Sequence, residues 1–122
     1  MAVKPTEYNI EIYRGDTMSL TVVYGDDSTG SPVPFDLTGC DINAEIREKA
    51  DTETVTAIFL IDTGDQAVTP GRIDLYLDST NSELLVGRRY VWDLEVEFPD
   101  GRVRTPVAGN IVATPDVTRD IL

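Results

Sequence analysis

The stretch Arg89-Tyr90-Val91-Trp92-Asp93-Leu94-Glu95-Val96-Glu97 decides the fold class. Tyr90, Trp92, Leu94 and Val96 fall on one side of an extended chain, and Arg89, Val91, Asp93, Glu95 and Glu97 on the other. This period of two marks a strand with one buried face. Pro99-Asp100-Gly101 then supplies a turn, because Pro presets φ and Gly accepts a positive φ. Val103, Thr105 and Val107 continue in a last strand, where Pro106 and Gly109 imply an edge position or a bulge, and Ile111 to Ala113 resume pairing. On the other side, Thr80-Asn81-Ser82-Glu83 fits a capping box. It predicts one short helical turn near residues 80–86, with Leu84 and Leu85 packed inward and Gly87 at a left-handed stop.

The same alternation runs outward to both ends. Tyr8, Ile10 and Ile12 alternate with Asn9 and Glu11; after Arg14-Gly15-Asp16, Met18, Leu20 and Val22 alternate with Ser19 and Thr21, which predicts a first hairpin. Residues 25–34 read as a Gly-, Asp-, Ser- and Pro-rich loop. Ile42, Ala44 and Ile46 mark a third strand, and Val55, Ala57, Phe59 and Ile61 a fourth. Ile58 and Leu60 make the fourth strand apolar on both sides, so it is expected to be covered on both, with a neighbouring molecule as one cover. Ile73, Leu75 and Leu77 define a fifth. About seven short strands with regularly spaced turns predict an all-β chain folded as a two-sheet antiparallel sandwich, with a small barrel as the architectural rival. The helical turn before a strand opening with Tyr90 resembles the corner before the sixth strand of immunoglobulin-like domains, which makes Trp92 a core anchor. One domain over residues 1–122 is expected, with terminal arms at 1–6 and 115–122.

Composition narrows function. Among 122 residues, 22 are acidic and 10 basic, giving a net charge of −12. Such a surface repels phosphate backbones, so nucleic acid is not an expected partner. No stretch approaches the apolar length of a membrane span, and residues 1–7 lack the apolar core of a signal peptide, so no membrane partner is expected either. Cys40 is the one cysteine, which excludes an intramolecular disulfide, and its apolar setting points to an inert thiol.

Histidine is absent. That removes Ser-His-Asp and Cys-His nucleophile systems and histidine metal sites. Carboxylates remain: Asp93, Glu95 and Glu97 share a strand side and read as a solvated outer face. Asp26-Asp27 and Asp62/Asp65 fall in loops without the spacing of a calcium loop and read as turn acids. Arg14-Gly15-Asp16 spells an integrin-binding tripeptide, but Gly15 and Asp16 serve a turn. Arg88-Arg89 and Arg102/Arg104 are expected close together across the last hairpin, paired with Glu95 and Glu97. No catalytic, cofactor-binding or metal-ligating residue is assigned, and no cofactor is expected.

Five motifs in order carry a resemblance. They are Tyr8-Asn9-Ile10 with Tyr13-Arg14-Gly15-Asp16-Thr17; Pro34-Phe35-Asp36-Leu37-Thr38-Gly39; Ala44-Glu45-Ile46-Arg47; Gly87-Arg88-Arg89-Tyr90-Val91-Trp92-Asp93-Leu94-Glu95-Val96; and Asp100-Gly101-Arg102 with Pro115-Asp116-Val117-Thr118-Arg119. The string resembles small virion structural proteins of tailed bacteriophages. Its Gly-Asp-Thr and Asp-Leu-Thr-Gly pair resembles the N-terminal immunoglobulin-like domain of phage baseplate upper proteins. The resemblance implies an immunoglobulin-like sandwich, no enzymatic activity, and many copies in a symmetric particle. Implied partners are other phage structural proteins (capsid, tail or baseplate) and copies of itself, and the implied location is the virion, after synthesis in the bacterial host cytoplasm. Baseplate upper proteins continue into fibre-forming segments, whereas this sequence covers one domain, which favours a capsid decoration protein or a tail or baseplate accessory subunit.

The expected contact residues are Ile58, Leu60, Arg88, Arg102, Arg104, Arg119, Ile121 and Leu122. Two rival readings stand beside this one. A bacterial immunoglobulin-like binding module for a surface glycan or protein needs Trp92 or Tyr76 exposed for stacking. A carboxylate hydrolase needs two acids facing each other across a cleft, one with a raised pKa.

Overall fold

The computed structural model describes residues 5–26 and 33–117. In chain order its elements are β1 (Thr6–Glu7), β2 (Ile10–Tyr13), β3 (Met18–Val23), β4 (Gly25–Asp26), β5 (Val33–Pro34), β6 (Asp41–Arg47), β7 (Ala57–Ile58), β8 (Leu60–Asp62), β9 (Arg72–Leu77), α1 (Ser79–Glu83), β10 (Arg89–Glu97) and β11 (Val103–Thr114). One sheet runs β1-β11-β10-β6-β7, with β2 also on β11; the facing sheet runs β3-β9-β8; β4 and β5 form a short ladder. The chain is an all-β, immunoglobulin-like sandwich.

β10 lies between β6 and β11 and carries the alternation into the core. Tyr90, Trp92, Leu94 and Val96 are buried, and meet Ile73, Leu75 and Leu77 of β9 from the other layer. Each such side chain stabilises the fold by about 1.5–3 kcal/mol relative to exposure. Pro106 marks a bulge, as its ring and missing N–H require: Leu94 pairs with Val107 but Val96 with Arg104, so Thr105 and Pro106 together face Glu95. Gly101 turns the chain at φ +92.

The first hairpin does not form. β2 pairs in parallel with β11, and β3 pairs antiparallel with β9 in the other sheet. The turn at Gly15 (φ +93) therefore carries the chain between layers. Period two fixes which face a residue takes, and Ile10 and Ile12 on β2 and Met18, Leu20 and Val22 on β3 keep theirs, although Tyr8 is exposed, but it does not fix the neighbour.

β1 and β2 are one parallel strand on β11, interrupted at Tyr8-Asn9. There the Asn9 side-chain oxygen, rather than a backbone carbonyl, accepts from the Asn110 N–H at 3.0 Å. The freed Tyr8 carbonyl accepts from Trp92 Nε1, also at 3.0 Å. This crossing needs Gly109, because a Cβ there would lie 2.0 Å from the Tyr8 carbonyl oxygen.

The fourth strand is also two elements. β7 pairs with β6, and β8 with β9, so the chain changes sheets at Phe59. Phe59 is buried against Trp92 (ring centroids 5.2 Å apart) and its N–H donates to the Ala44 carbonyl. Ile58 and Leu60 point outward and stay 43% and 44% exposed, so the described residues do not cover that side.

The helical turn starts earlier than its capping box predicts. Asp78, not Thr80, is the N-cap, accepting from the Asn81 N–H at 2.8 Å and from Asn81 Nδ2 at 2.9 Å. Leu85 is buried as expected, but Leu84 is exposed. Gly87 is not left-handed; its N–H donates to the Tyr90 hydroxyl, and a Cβ there would lie 2.8 Å from that oxygen. The tie resembles the tyrosine corner of immunoglobulin-like sandwiches.

Candidate functional site

Motif residues meet at the two poles of the sandwich. At one pole Asp36 caps its own turn, accepting from the Thr38 N–H and hydroxyl, and these bonds hold its carboxyl below the usual range. Gly39 (φ +79) abuts Pro99 of the next turn. Behind them Tyr24, Phe35 and Phe98 pack edge to face or tilted, with the Arg102 guanidinium 4.8 Å from the Phe98 ring centroid. Cys40 is half-buried here, and burial, then Asp36 and Asp100, push its thiol pKa up, which disfavours the thiolate. At the other pole the Gly15 N–H donates to the buried Ser82 hydroxyl at 2.9 Å, and Arg14 pairs with Asp116 at 3.6 Å.

The first pole depends on Gln66, a residue with no motif. Its Oε1 accepts from the Leu37 N–H (3.1 Å) and the Gly71 N–H (2.8 Å), while Nε2 donates to the Thr63 (2.8 Å) and Arg72 (3.1 Å) carbonyls. One buried amide thus joins two loops. The Asp62 and Asp65 carboxylates accept from the Gly64 and Ala67 N–H groups and serve turns, as expected of them.

Three surfaces among the described residues bear on contact. The first is a shallow groove of about 600 Å³ on the outer face of the larger sheet, lined by Glu7, Glu45, Arg47, Asp93, Glu95 and Asn110 among others. Register sets Glu7, Ala108, Asp93, Glu45 and Ile58 side by side across five strands. Partial burial, then Glu45, raise the Asp93 pKa, while Arg47 opposes the rise. Arg47 is itself held by Glu45 at 2.8 Å and by the Thr52 and Glu53 carbonyls, both at 2.6 Å. The two acids are thus cross-strand neighbours on one face, not opposed walls of a cleft. No group of three or more His, Cys, Asp or Glu side chains suited to a metal ion occurs among the described residues.

The second surface is an apolar patch. Leu60 pairs directly with Tyr76, both exposed, and the Ile58 N–H beside them donates to the Asn81 side chain. The third is a groove of about 530 Å³ along the free side of β3, where Arg104 and Pro106 face Leu20 and Val22.

The expected contact residues are scattered. Arg88-Arg89 and Arg102/Arg104 do not meet: Arg89 pairs with Val112 and Arg104 with Val96, near opposite ends of the β10–β11 ladder. Arg102 bonds Asp100 at 2.8 Å, and Arg104 Nη1 bonds the Val103 carbonyl, so neither pairs with Glu95 or Glu97. Arg119, Ile121 and Leu122 lie outside the described residues, as do residues 1–4 of the N-terminal arm; Thr6 already belongs to β1. Trp92 is 3% exposed and Tyr76 41%, so Tyr76 alone of the two is open to a ligand.

No protein-family model matches the sequence, and no curated protein is similar to it. Among solved structures, the chain is similar to the sialic acid binding region of the Streptococcus sanguinis SK1 adhesin bound to 3'sLn, at 20% identity and a TM-score of 0.42. The match covers 93% of this chain and 29% of that one, so the chain spans under a third of the adhesin region's length.

Proposed function

We propose that this chain is a non-catalytic module that acts by surface contact, and that it docks on other structural proteins of a tailed-phage particle. The carrying observation is the work done by the ordered motifs. Tyr8-Asn9-Ile10 makes the strand crossing, Arg14-Gly15-Asp16 the turn between layers, Asp36-Leu37-Thr38-Gly39 a self-capped turn, and Gly87 with Tyr90 the corner tie. They specify a rigid scaffold and leave faces and edges for partners. A rigid scaffold suits repetition in a particle, where many modest contacts add. Mass spectrometry of purified virions from the source is expected to find the chain; its presence in lysate with absence from intact particles overturns the assignment.

A second reading is a carbohydrate-binding module, favoured by the outer groove, where Glu45, Asp93 and Asn110 offer acceptors and Arg47 donors to hydroxyl groups. The adhesin region named above binds sialic acid. The carboxylates here repel such an anion, so a neutral sugar is the ligand this reading requires. Buried Trp92 removes the strongest stacking surface. A glycan array carrying neutral and sialylated sugars tests it: saturable binding of a neutral glycan that Asn110→Ala abolishes supports it, and no binding refutes it.

A further inference from the structure

The geometry points to the free edge of β3 as a docking site for an extended segment of a partner protein, added as a further strand with an acidic side chain seated on Arg104. β3 pairs with β9 alone among the described residues. The Tyr24 N–H donates to the Gly71 carbonyl in the register of that pair. Antiparallel alternation then turns the N–H and C=O groups of Leu20 and Val22 toward β9, and those of Ser19, Thr21 and Val23 outward. Edge strands are ordinarily blunted by charge, proline or a bulge. Met18-Ser19-Leu20-Thr21-Val22-Val23 contains neither charge nor proline, and its pairing with β9 runs without a register break.

The space beside this edge has a strand's requirements. The groove of about 530 Å³ offers Leu20, Val22 and Tyr8 to alternate apolar side chains, with Pro106 closing one wall. Among the described residues, Arg104 is the one charged residue lining it. Its guanidinium is exposed, bonds the Val103 carbonyl and makes no ion pair among the described residues, in a chain with 22 acids to 10 bases. Charge complementarity therefore selects an acidic residue. A second copy is the weaker occupant, because each copy carries a net charge of −12. Backbone bonds would supply affinity and the alternate pockets specificity, as in strand addition generally.

This deepens the docking reading and rests on surface contact, not on the phage assignment, so it fails independently of virion mass spectrometry. The test displays random linear peptides to the full-length chain and follows amide hydrogen exchange. Selected peptides are expected to alternate apolar residues with an acid near one end, and to protect the Ser19, Thr21 and Val23 amides on binding. Val23→Pro, which removes an outward N–H, is expected to weaken binding about tenfold or more at unchanged melting temperature. Arg104→Glu is expected to shift selection to basic peptides. If Val23→Pro does not fold, Val23→Glu keeps the backbone and sets a like charge on the edge against the peptide's acid, with the same weakening expected. The proposal is overturned if those amides are already protected in the free protein, if no peptide is selected, if binding survives the edge substitutions, or if sedimentation shows the edge closing on a second copy.

Discussion

Replacing Gln66 by leucine tests whether one buried amide holds the pole together. The side chain is 8% exposed and makes four hydrogen bonds, two accepted and two donated. Leucine keeps the bulk and removes all four, which leaves the Leu37 and Gly71 N–H groups and the Thr63 and Arg72 carbonyls without that partner. An orphaned buried group costs about 1–3 kcal/mol, so about 4–12 kcal/mol for the four, but three lie in loops and the fourth, on Arg72, at the start of β9, where they can relax toward water, so roughly a third of that cost survives. The expected loss is about 2–4 kcal/mol, a large share of the ~5–15 kcal/mol a domain has in total. Trp92, the only tryptophan, is buried and reports unfolding by fluorescence. In urea the midpoint is expected to fall by about 1–2 M, with Tm lower by about 10 °C. Gln66→Glu keeps the accepting side and sets an anionic oxygen against two carbonyls, so it should lose at least as much at neutral pH. A Gln66→Leu protein within about 0.5 kcal/mol of the parent, at unchanged urea slope, refutes the reasoning.

Gly109→Ala places a methyl on the Tyr8 carbonyl and is expected to cost about 2 kcal/mol or more, with faster hydrogen exchange confined to β1 and β2 as the first sign. Tyr90→Phe leaves the Gly87 N–H unpaired and should cost about 1 kcal/mol in urea melts, with Gly87→Ala, which crowds the hydroxyl, no better. Asp93 has a raised pKa when folded, so the folded state holds its proton more tightly than the unfolded chain does. Its charge therefore destabilises the fold increasingly as pH rises from the ordinary Asp value through the raised one, and fully above it. Asp93→Asn is expected to stabilise at neutral pH and to lose that gain at about pH 3; an equal gain at both pH values in thermal melts would falsify the electrostatic account.

What the sequence makes legible is side-chain direction. Alternation in residues 89–97 and 72–77 assigns every inward residue of β10 and β9, because one face of each strand must leave water. It cannot assign neighbours. A turn such as Arg14-Gly15-Asp16 serves a hairpin or a crossing between sheets equally well, and the same holds for the change of sheet at Phe59. Local competition hides other features: Asp78, Ser79, Thr80 and Asn81 are four successive cap-forming residue types, and the carboxylate that reaches Asn81 wins. Gln66 carries no periodicity and no motif, since its role exists only once two distant loops are adjacent. The outer groove follows the same logic: Asp93 and Glu45 are each legible as outward residues, but their pairing across β10 and β6 is a matter of register.

Among the described residues β3 has an open edge, and Gly109 on another strand makes room for the N-terminal strand to lie elsewhere, on β11. Trp92 and Gly109 are opposite each other on β10 and β11, a large side chain beside none. That void lets Tyr8 pass close enough for its carbonyl to meet the indole N–H, which binds the N-terminal strand to β11 in parallel. With the N-terminal strand on β11, the sheet β3-β9-β8 has three strands and the facing sheet six among the described residues. Trp92, which reads in sequence as a core anchor, and Gly109, which reads as an edge or bulge residue, together set where the N-terminal strand lies. The surface available to a partner is set by the interior of the sandwich, and changes to either residue should alter binding at the β3 edge without touching it.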